Sequence, residues 1–364
     1  MRIAFCTTDW GHNPEGMAHP GGANWVRIQT PARQLAAAGH EVQIGFNLAV
    51  LRSGKIIALN EDDQPMGGGE PADVVVLQRW MHKDAPKLIR GAREQGQVVI
   101  NDCDDWFDGL DPANQAFDAS HPSRNSEVNR NHYRAALGAS SMLTVSTPYL
   151  ASRLAPLGTP IRVVRNAIRV QDFDIAEPSD TSTGLLVAWV GGVNWRSGDL
   201  ETIKPWFGPW LRANGCRFLH HGVFPVQEKQ AWDILGLDHD LVAGWRPVMP
   251  PHIFARVLLK GFDIGLVPLS DIPFNQAKSW IKGLEYAAAG IPFVAAKTDE
   301  YDALGAGFTA RRPRDWIKHM DRLLDPEVRL AQSIRGLEAS RRNDISVRWV
   351  DWEQAYLDAL AMAR

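Results

Sequence analysis

The chain has 364 residues, 45% of them apolar and 22% charged, with a formal net charge of −3. That length supplies two domains with full cores, and the composition is that of an ordinary globular protein rather than a disordered or fibrous one. The charge gives no electrostatic case for a nucleic-acid binder, although local basic clusters are compatible with it. Cys6, Cys103 and Cys216 are odd in number and far apart, which fits reduced core thiols better than a disulfide framework or a metal site. The first residues already read as a strand with no signal segment before them, and no run approaches the ~20 apolar residues of a membrane span. A cytoplasmic protein is therefore expected.

Arg2–Thr7 reads as an apolar strand, Trp10–Ala23 as a loop rich in Gly, Pro and His, and Trp25–Ala38 as a helix. Gly39-His40 and a strand over Glu41–Phe46 complete a βαβ start. Gly21 and Gly22, placed before a helix, let a backbone approach a ligand closely; the same pair also serves an ordinary turn. Arg27 and Arg33 read as surface charges. Further strands are expected at Asp73–Leu77 and Val98–Asn101, with a helix over Ala85–Gln95 between them.

The run NDCDDWFDGLDP follows, with Asp102, Asp104, Asp105, Asp108 and Asp111. Carboxylates clustered just past a strand end raise one another's pKa, which suits base work. The same cluster suits a hard cation or a plain acidic turn. Asn114–Arg130 is a long polar loop of the kind that is often functional. With its neighbours it offers Arg124, Arg130, Arg134, His121 and His132 to a charged acceptor or to water. A helix over Asn131–Leu137, a strand over Met142–Val145 and a linker over Ser179–Thr183 close the first half.

The second half restarts the plan. Leu185–Val190 is an all-apolar strand ending in Gly191-Gly192, followed by VNWRSGD and a helix from about Leu200. Two Rossmann-like halves fit an α/β protein. No G-x-G-x-x-G stands at either strand end, which argues against a dinucleotide oxidoreductase. Strands over Arg217–Leu219 and Leu241–Ala243, a Gly244-Trp245-Arg246 loop and a helix over Pro251–Leu259 lead to Phe262–Ala296. There a strand, Ile264–Pro268, passes through a polar loop, Ser270–Lys278, into a helix ending near Ala289. Gly290 stands where a helix C-cap takes a positive φ, and Pro292 stops the helix before the strand Pro292–Ala296. The loop and helix start lie at the carboxyl end of a strand, where open parallel sheets bind ligands.

On a helix Lys278, Lys282 and Glu285 share one face, with Trp280, Ile281, Leu284 and Ala288 turned to the core. Two lysines at i,i+4 repel by about 0.2–0.5 kcal/mol. An anion beside them, helped by the N–H groups of the helix start, would relieve that conflict; a solvated face with a Lys282–Glu285 pair is the alternative. The tail has helical spacing at Val350, Ala355, Tyr356 and Leu360.

NQAKSWIKGLEYAAAGIPFVAA resembles the nucleotide-sugar-binding segment of GT-B glycosyltransferases of the family 4 type. GGANWVRIQTPARQLAAAGHEV resembles the opening of that family, and STPYLASRLAPLGTPIRVVRNAI its last N-domain segment, with Arg165–Ile168 at the inter-domain crossing. The resemblance implies two Rossmann-like domains facing each other across a cleft, with a C-terminal helix crossing back to the first. The N-terminal acceptor domain would be 1–166 with about 346–364, and the nucleotide-sugar domain 167–345. The family's Glu before a small-residue helix and a Gly-x-Pro holds the donor ribose, and Glu285 matches it. A second Glu eight residues earlier is Ala277 here, so the chain looks like a variant branch in which Lys278, Ser279 and Lys282 surround the diphosphate. The family's usual diphosphate Arg and Lys fall at Gly192 and about Ser197, which leaves Arg196, with Asn194 nearby, as substitute. Arg246 lies in the part that packs on the nucleobase.

The implied reaction moves a hexosyl or related group from a nucleotide-sugar, such as a UDP- or GDP-sugar, to an acceptor hydroxyl held between Gly21-Gly22 and Asp104-Asp105. Retention of configuration without a catalytic metal or other cofactor is expected; inversion would make an Asp of the 102–105 cluster the base. A glycan, a lipid-linked saccharide, a protein and a modified nucleic acid are all compatible acceptors. A GT-B sugar-nucleotide epimerase or hydrolase, or a nucleotide-sugar-binding protein without catalysis, stands as the alternative.

Overall fold

The computed structural model describes residues 1–12, 18–121, 124, 130–175, 184–196, 198–223, 229–251, 253, 255 and 261–363. The linker expected at Ser179–Thr183, Ser197 and most of the helix expected at Pro251–Leu259 lie outside the described residues, as do residues 125–129 of the long polar loop and the side chains of Arg130 and His132.

Two six-stranded parallel sheets form the frame. The first comprises β1 (Arg2–Thr7), β2 (Glu41–Gly45), β3 (Val74–Gln78), β4 (Val98–Cys103), β5 (Met142–Val145) and β6 (Ile161–Val163), in the order β6-β5-β4-β3-β1-β2. The second comprises β7 (Leu186–Val190), β8 (Arg217–Val223), β9 (Val242–Pro247), β10 (Ile264–Val267), β11 (Phe293–Ala296) and β12 (Phe308–Ala310), in the order β9-β8-β7-β10-β11-β12. Both are Rossmann-like, and their inner strands are near-continuous apolar runs because each sheet is covered on both faces. Alternate residues of β1 and β3 show this. Ile3, Phe5, Val74 and Val76 pack under the C-terminal helix, whereas Ala4, Cys6, Val75 and Leu77 pack on the other face against Ile89 and Ala92.

The chain crosses between the sheets twice, side by side. Ile168 pairs with Asp344, and Ile345 N–H donates to the Ile168 carbonyl at 2.7 Å. The last helix, Ile345–Ala363, thereby returns to the first sheet and buries Trp352, Ala355, Tyr356 and Ala359 on it. Val350 does not join them; it is 45% exposed, because the buried face is centred on Trp352 and Tyr356 instead. All three cysteines are free and buried.

Several elements differ from the sequence expectation. The first helix begins at Gly22 and contains a π-helical turn over Trp25–Gln29 before continuing to Ala37. The polar loop after β10 contains a short helix, Pro273–Gln276, and the next helix starts only at Ile281. Lys278 therefore precedes that helix and does not share a helical face with Lys282. Gly244-Trp245-Arg246 is not a loop but the middle of β9, a partly exposed edge strand without an apolar run. Two antiparallel hairpins, Trp10–His12 with Ala18–Pro20 and Asn47–Val50 with Ile56–Leu59, are additions the periodicity did not signal. Gly290 takes φ +72°, as its C-cap position demands.

Candidate functional site

In both sheets the strand order reverses beside the first strand, between β1 and β3 and between β7 and β10. Loops diverge at such points and leave a crevice at the carboxyl ends. A cavity of about 900 Å³ occupies this position between the two sheets. Pro20, Gly21, Gly22 and Trp25 line it from the first sheet, and Gly191, Gly192, Arg196, Lys282 and Glu285 from the second, with residues 247–251 closing one side.

Glycines let these walls come close. A Cβ on Gly222, which has φ +105°, would lie 2.9 Å from the Gly191 carbonyl oxygen. A Cβ on Gly21 would lie 2.5 Å from the Asp9 carboxylate, so only glycine fits between the cavity and the carboxylates behind it.

On the second-sheet wall Lys282 Nζ donates to Glu285 Oε2 at 3.0 Å, one helical turn apart. Arg196 Nη1 stands 4.0 Å from Asp199 Oδ2. Asp199 is anchored from below by the Ser270 N–H at 2.8 Å and the Asn275 side-chain amide at 2.8 Å. Burial raises the Asp199 pKa, and Arg196 opposes that. Two cations and one carboxylate thus converge on a wall whose backbone is bare at Gly191-Gly192, a set suited to a phosphorylated diol.

Asp104 and Asp105 lie behind the first-sheet wall rather than in the cavity lining. They follow β4, and Arg79, just past β3, joins them. Its Nη2 reaches Asp104 Oδ2 at 3.1 Å and Asp105 Oδ2 at 3.2 Å, while its Nη1 reaches Asp9 Oδ1 at 3.2 Å. Lys278 crosses from the second sheet to Asp105 Oδ1 at 3.4 Å and lies 4.2 Å from the Phe274 ring centre. Burial pushes the Asp104 carboxyl up to about 6, opposed by Arg79 and reinforced by Asp105, Asp9 and Asp102. Asp105 is also buried, yet Lys278 and Arg79 hold it below the usual carboxylate value.

The sequence-selected residues therefore fall into three groups. Gly21, Gly22, Arg196, Lys282 and Glu285 share the cavity. Asp104, Asp105 and Lys278 form the adjoining charged cluster. Ser279, Asn194 and Arg246 belong to neither. The Ser279 hydroxyl accepts from the Asn166 amide at 2.7 Å, the Asn194 carbonyl accepts from Gln115 N–H at 3.4 Å, and Arg246 is held within β9.

Sequence reasoning missed Arg79 and Asp9, which single residues at strand ends do not announce. It also misplaced Arg27, which is not a surface charge but 1% exposed. Arg27 grips both oxygens of Asp102 at 3.0 and 2.6 Å and reaches the Asn166 side chain at 3.0 Å, with Trp352 beneath it. The π-helical turn carries Trp25 and Val26 to the cavity and Arg27 to this buried pair.

No protein-family model matches the chain, and no curated protein does. Solved structures match it over nearly its whole length. HepE of Anabaena, in complex with UDP and glucose, superposes with a TM-score of 0.60 at 13% identity, covering 98% of this chain and 100% of that one. The trehalose-6-phosphate synthase OtsA gives 0.61 at 13%, covering 99% of each. A glycosyltransferase from Rickettsia africae gives 0.62 at 10%, covering 98% of each. At these identities the likeness is one of fold, and the fold is GT-B. Among the described residues no helix is long and apolar enough to cross a membrane.

Proposed function

We propose that the chain is a glycosyltransferase that moves a hexosyl or related group from a UDP- or GDP-sugar to an acceptor hydroxyl, with retention and without a catalytic metal. The observation that carries this reading is the cavity between the carboxyl ends of two Rossmann-like sheets, where Glu285, Lys282 and Arg196 meet the bare backbone of Gly191-Gly192. Residues 167–345 act as the donor domain; residues 1–166 with 346–364 act as the acceptor domain.

Glu285 accepts hydrogen bonds from the ribose hydroxyls. Arg196 and Lys282 neutralise the diphosphate, and Lys278, beside Ser279, is shared between Asp105 and the departing phosphate. Asn194 and Arg246, off the cavity, take no part. The anomeric C–O bond breaks with its electron pair on the diphosphate oxygen, the acceptor oxygen bonds to the same face, and its proton passes to that leaving oxygen. Fixed cations stabilise the charge that develops there, the largest contribution expected in such a site. The acceptor is a hydroxyl of a glycan, lipid-linked saccharide, protein or modified nucleic acid.

A thermal-shift screen of UDP, GDP, ADP, dTDP, CMP and their sugar conjugates tests the reading. A ligand bound only by the folded state adds about 2.7 kcal/mol at a hundredfold excess over Kd. Stabilisation by one nucleotide class, lost in Glu285→Ala, supports it. No stabilisation by any overturns it.

A further inference from the structure

The three carboxylates around Arg79 are not equivalent. Both oxygens of Asp9 are taken, Oδ1 by Arg79 and Oδ2 by the Asn24 N–H at 2.8 Å. Both oxygens of Asp105 are taken, Oδ2 by Arg79 and Oδ1 by Lys278. Asp104 uses only Oδ2, on Arg79. Its Oδ1 has no hydrogen-bond partner among the described residues, and its side chain keeps 14% exposure.

Arg79 itself is held at a cost. It has φ +59°, and Asp63 is the only other described non-glycine residue with a positive φ. A left-handed arginine costs of order 1–3 kcal/mol and persists where its surroundings over-determine it, typically at functional positions. Its Nε is buried without a hydrogen-bond partner among the described residues, so the guanidinium is aimed for its two terminal nitrogens. It stands at the sheet's switch point, one glycine away from the cavity: the Gly21 N–H donates to the Asp9 carbonyl at 2.8 Å.

We propose that Oδ1 of Asp104 accepts the hydrogen bond of the acceptor hydroxyl, and that Arg79 is the positioning residue that leaves this oxygen, and none of Asp9 or Asp105, open to it. This rests on the glycosyl-transfer reading above and assigns the acceptor end of that site. Before reaction the hydroxyl's single proton points at Asp104, which aims a lone pair at the anomeric carbon; as the anomeric C–O bond breaks, that hydrogen bond is given up and the proton passes to the diphosphate oxygen. The role requires an ionised Asp104, and the charges facing it are Asp9, Asp102 and Asp105 against Arg79, with Arg27 behind Asp102 and Lys278 on Asp105.

The test uses the full chain with UDP-glucose and GDP-mannose as probes and water as the minimal acceptor. Nucleoside diphosphate release is followed from pH 5 to 8.5, and donor Kd is measured separately. Asp104→Asn should keep the donor Kd within twofold and lower turnover at least a hundredfold, and Asp105→Asn should lower it less than tenfold. Wild-type turnover should fall below about pH 6, as the Asp104 carboxyl takes up its proton. Arg79→Lys should retain turnover within tenfold, and Arg79→Gln should move the acid limb up by at least one pH unit. A larger loss in Asp105→Asn than in Asp104→Asn, or an acid limb indifferent to both Arg79 variants, overturns the proposal.

If neither probe binds, the donor reading fails by itself, and carboxyl-13C NMR of the aspartates still decides the part played by Arg79. An Asp104 resonance titrating near pH 6 that moves up in Arg79→Gln supports it, and one that does not move overturns it. Should Arg79→Gln fail to fold, Arg79→Lys serves in both measurements.

Discussion

Removing the Glu285 carboxylate should separate binding from folding cleanly. Among the described residues its hydrogen bond is to Lys282, at 3.0 Å, with side chains 15% and 22% exposed. A pair of this spacing and exposure contributes about 0.3–0.5 kcal/mol, so Glu285→Ala should shift the melting point by only about 1–2 °C. The donor complex stands to lose far more. Two hydrogen bonds from a ribose diol to a carboxylate are worth about 1.5–3 kcal/mol each. Taking the lower end for both gives about 3 kcal/mol, on the order of 10²-fold in Kd. Losing the carboxylate also removes one partner of Lys282, which strengthens its pull on the diphosphate by about 1 kcal/mol at most and leaves a net loss well above tenfold. Calorimetric titration of UDP and GDP into wild type, Glu285→Ala and Lys282→Met measures each quantity, and the double variant gives their coupling. A Kd within threefold of wild type in a normally folded Glu285→Ala would refute the placement of the donor site.

Arg27→Met should destabilise by about 3–5 kcal/mol, because it strands a buried Asp102 that also accepts from the Thr144 hydroxyl; urea unfolding reads this, and a change below 1 kcal/mol would return Arg27 to the surface role its sequence suggests. Gly21→Ala would place a methyl 2.5 Å from the Asp9 carboxylate and should cut turnover at least tenfold with little change in donor affinity, whereas Gly22→Ala meets open space and should leave the melting point unchanged. The raised Asp104 pKa means that the folded state binds this proton more tightly than the unfolded chain, so its contribution is full below about pH 4 and is lost as pH rises through about 6. Asp105, lowered, runs the opposite way and loses its contribution as pH falls through its folded value. Relative to wild type, Asp104→Asn should therefore gain stability between pH 5 and pH 7.5; equal melting differences at the two pH values would refute the Asp104 shift.

What could be read in advance follows how local each feature is. β1 and β5 agree to the residue, because an apolar run bounded by polar residues is a complete description of a strand buried on both faces. Gly290 was legible for a similar reason: the helix end, the glycine and Pro292 sit within a few residues. Glu285 reaches the cavity from a single β–loop–α unit, so contiguous sequence suffices. A helix face for Lys278 comes from running the 3.6-residue period of the helix back from Ile281 to the end of the polar loop, across a non-helical Trp280 where the period is broken. Of β9 only the start is legible, as the strand over Leu241–Ala243; its continuation through Gly244-Trp245-Arg246 reads as a loop because an edge strand with half-exposed residues carries no apolar signature. Arg27 and Arg79 were illegible in principle, since their carboxylates lie 75 residues away in one case and 70, 25 and 26 in the other. A single sequence assigns a helical arginine to water unless its partner is already known.

The same distinction explains why the two walls of the site behave differently. The second-sheet wall is built from neighbours in sequence, and each of its charges has a partner on its own side of the cavity, Lys282 with Glu285 and Arg196 with Asp199. The first-sheet wall gathers Asp9, Asp104 and Asp105 on one Arg79, leaving two negative charges in excess if all three are ionised, and Lys278 from the opposite sheet removes one of them. In a partly buried cluster a charge imbalance is relieved by proton uptake rather than tolerated. Asp104, the carboxylate with the fewest partners, is where that uptake falls. Any displacement of the segment carrying Lys278 therefore changes the proton affinity of the carboxylates across the cleft. The segment proposed to hold the donor and the carboxylates proposed to face the acceptor are then coupled through one ammonium group, without a chain of intervening contacts.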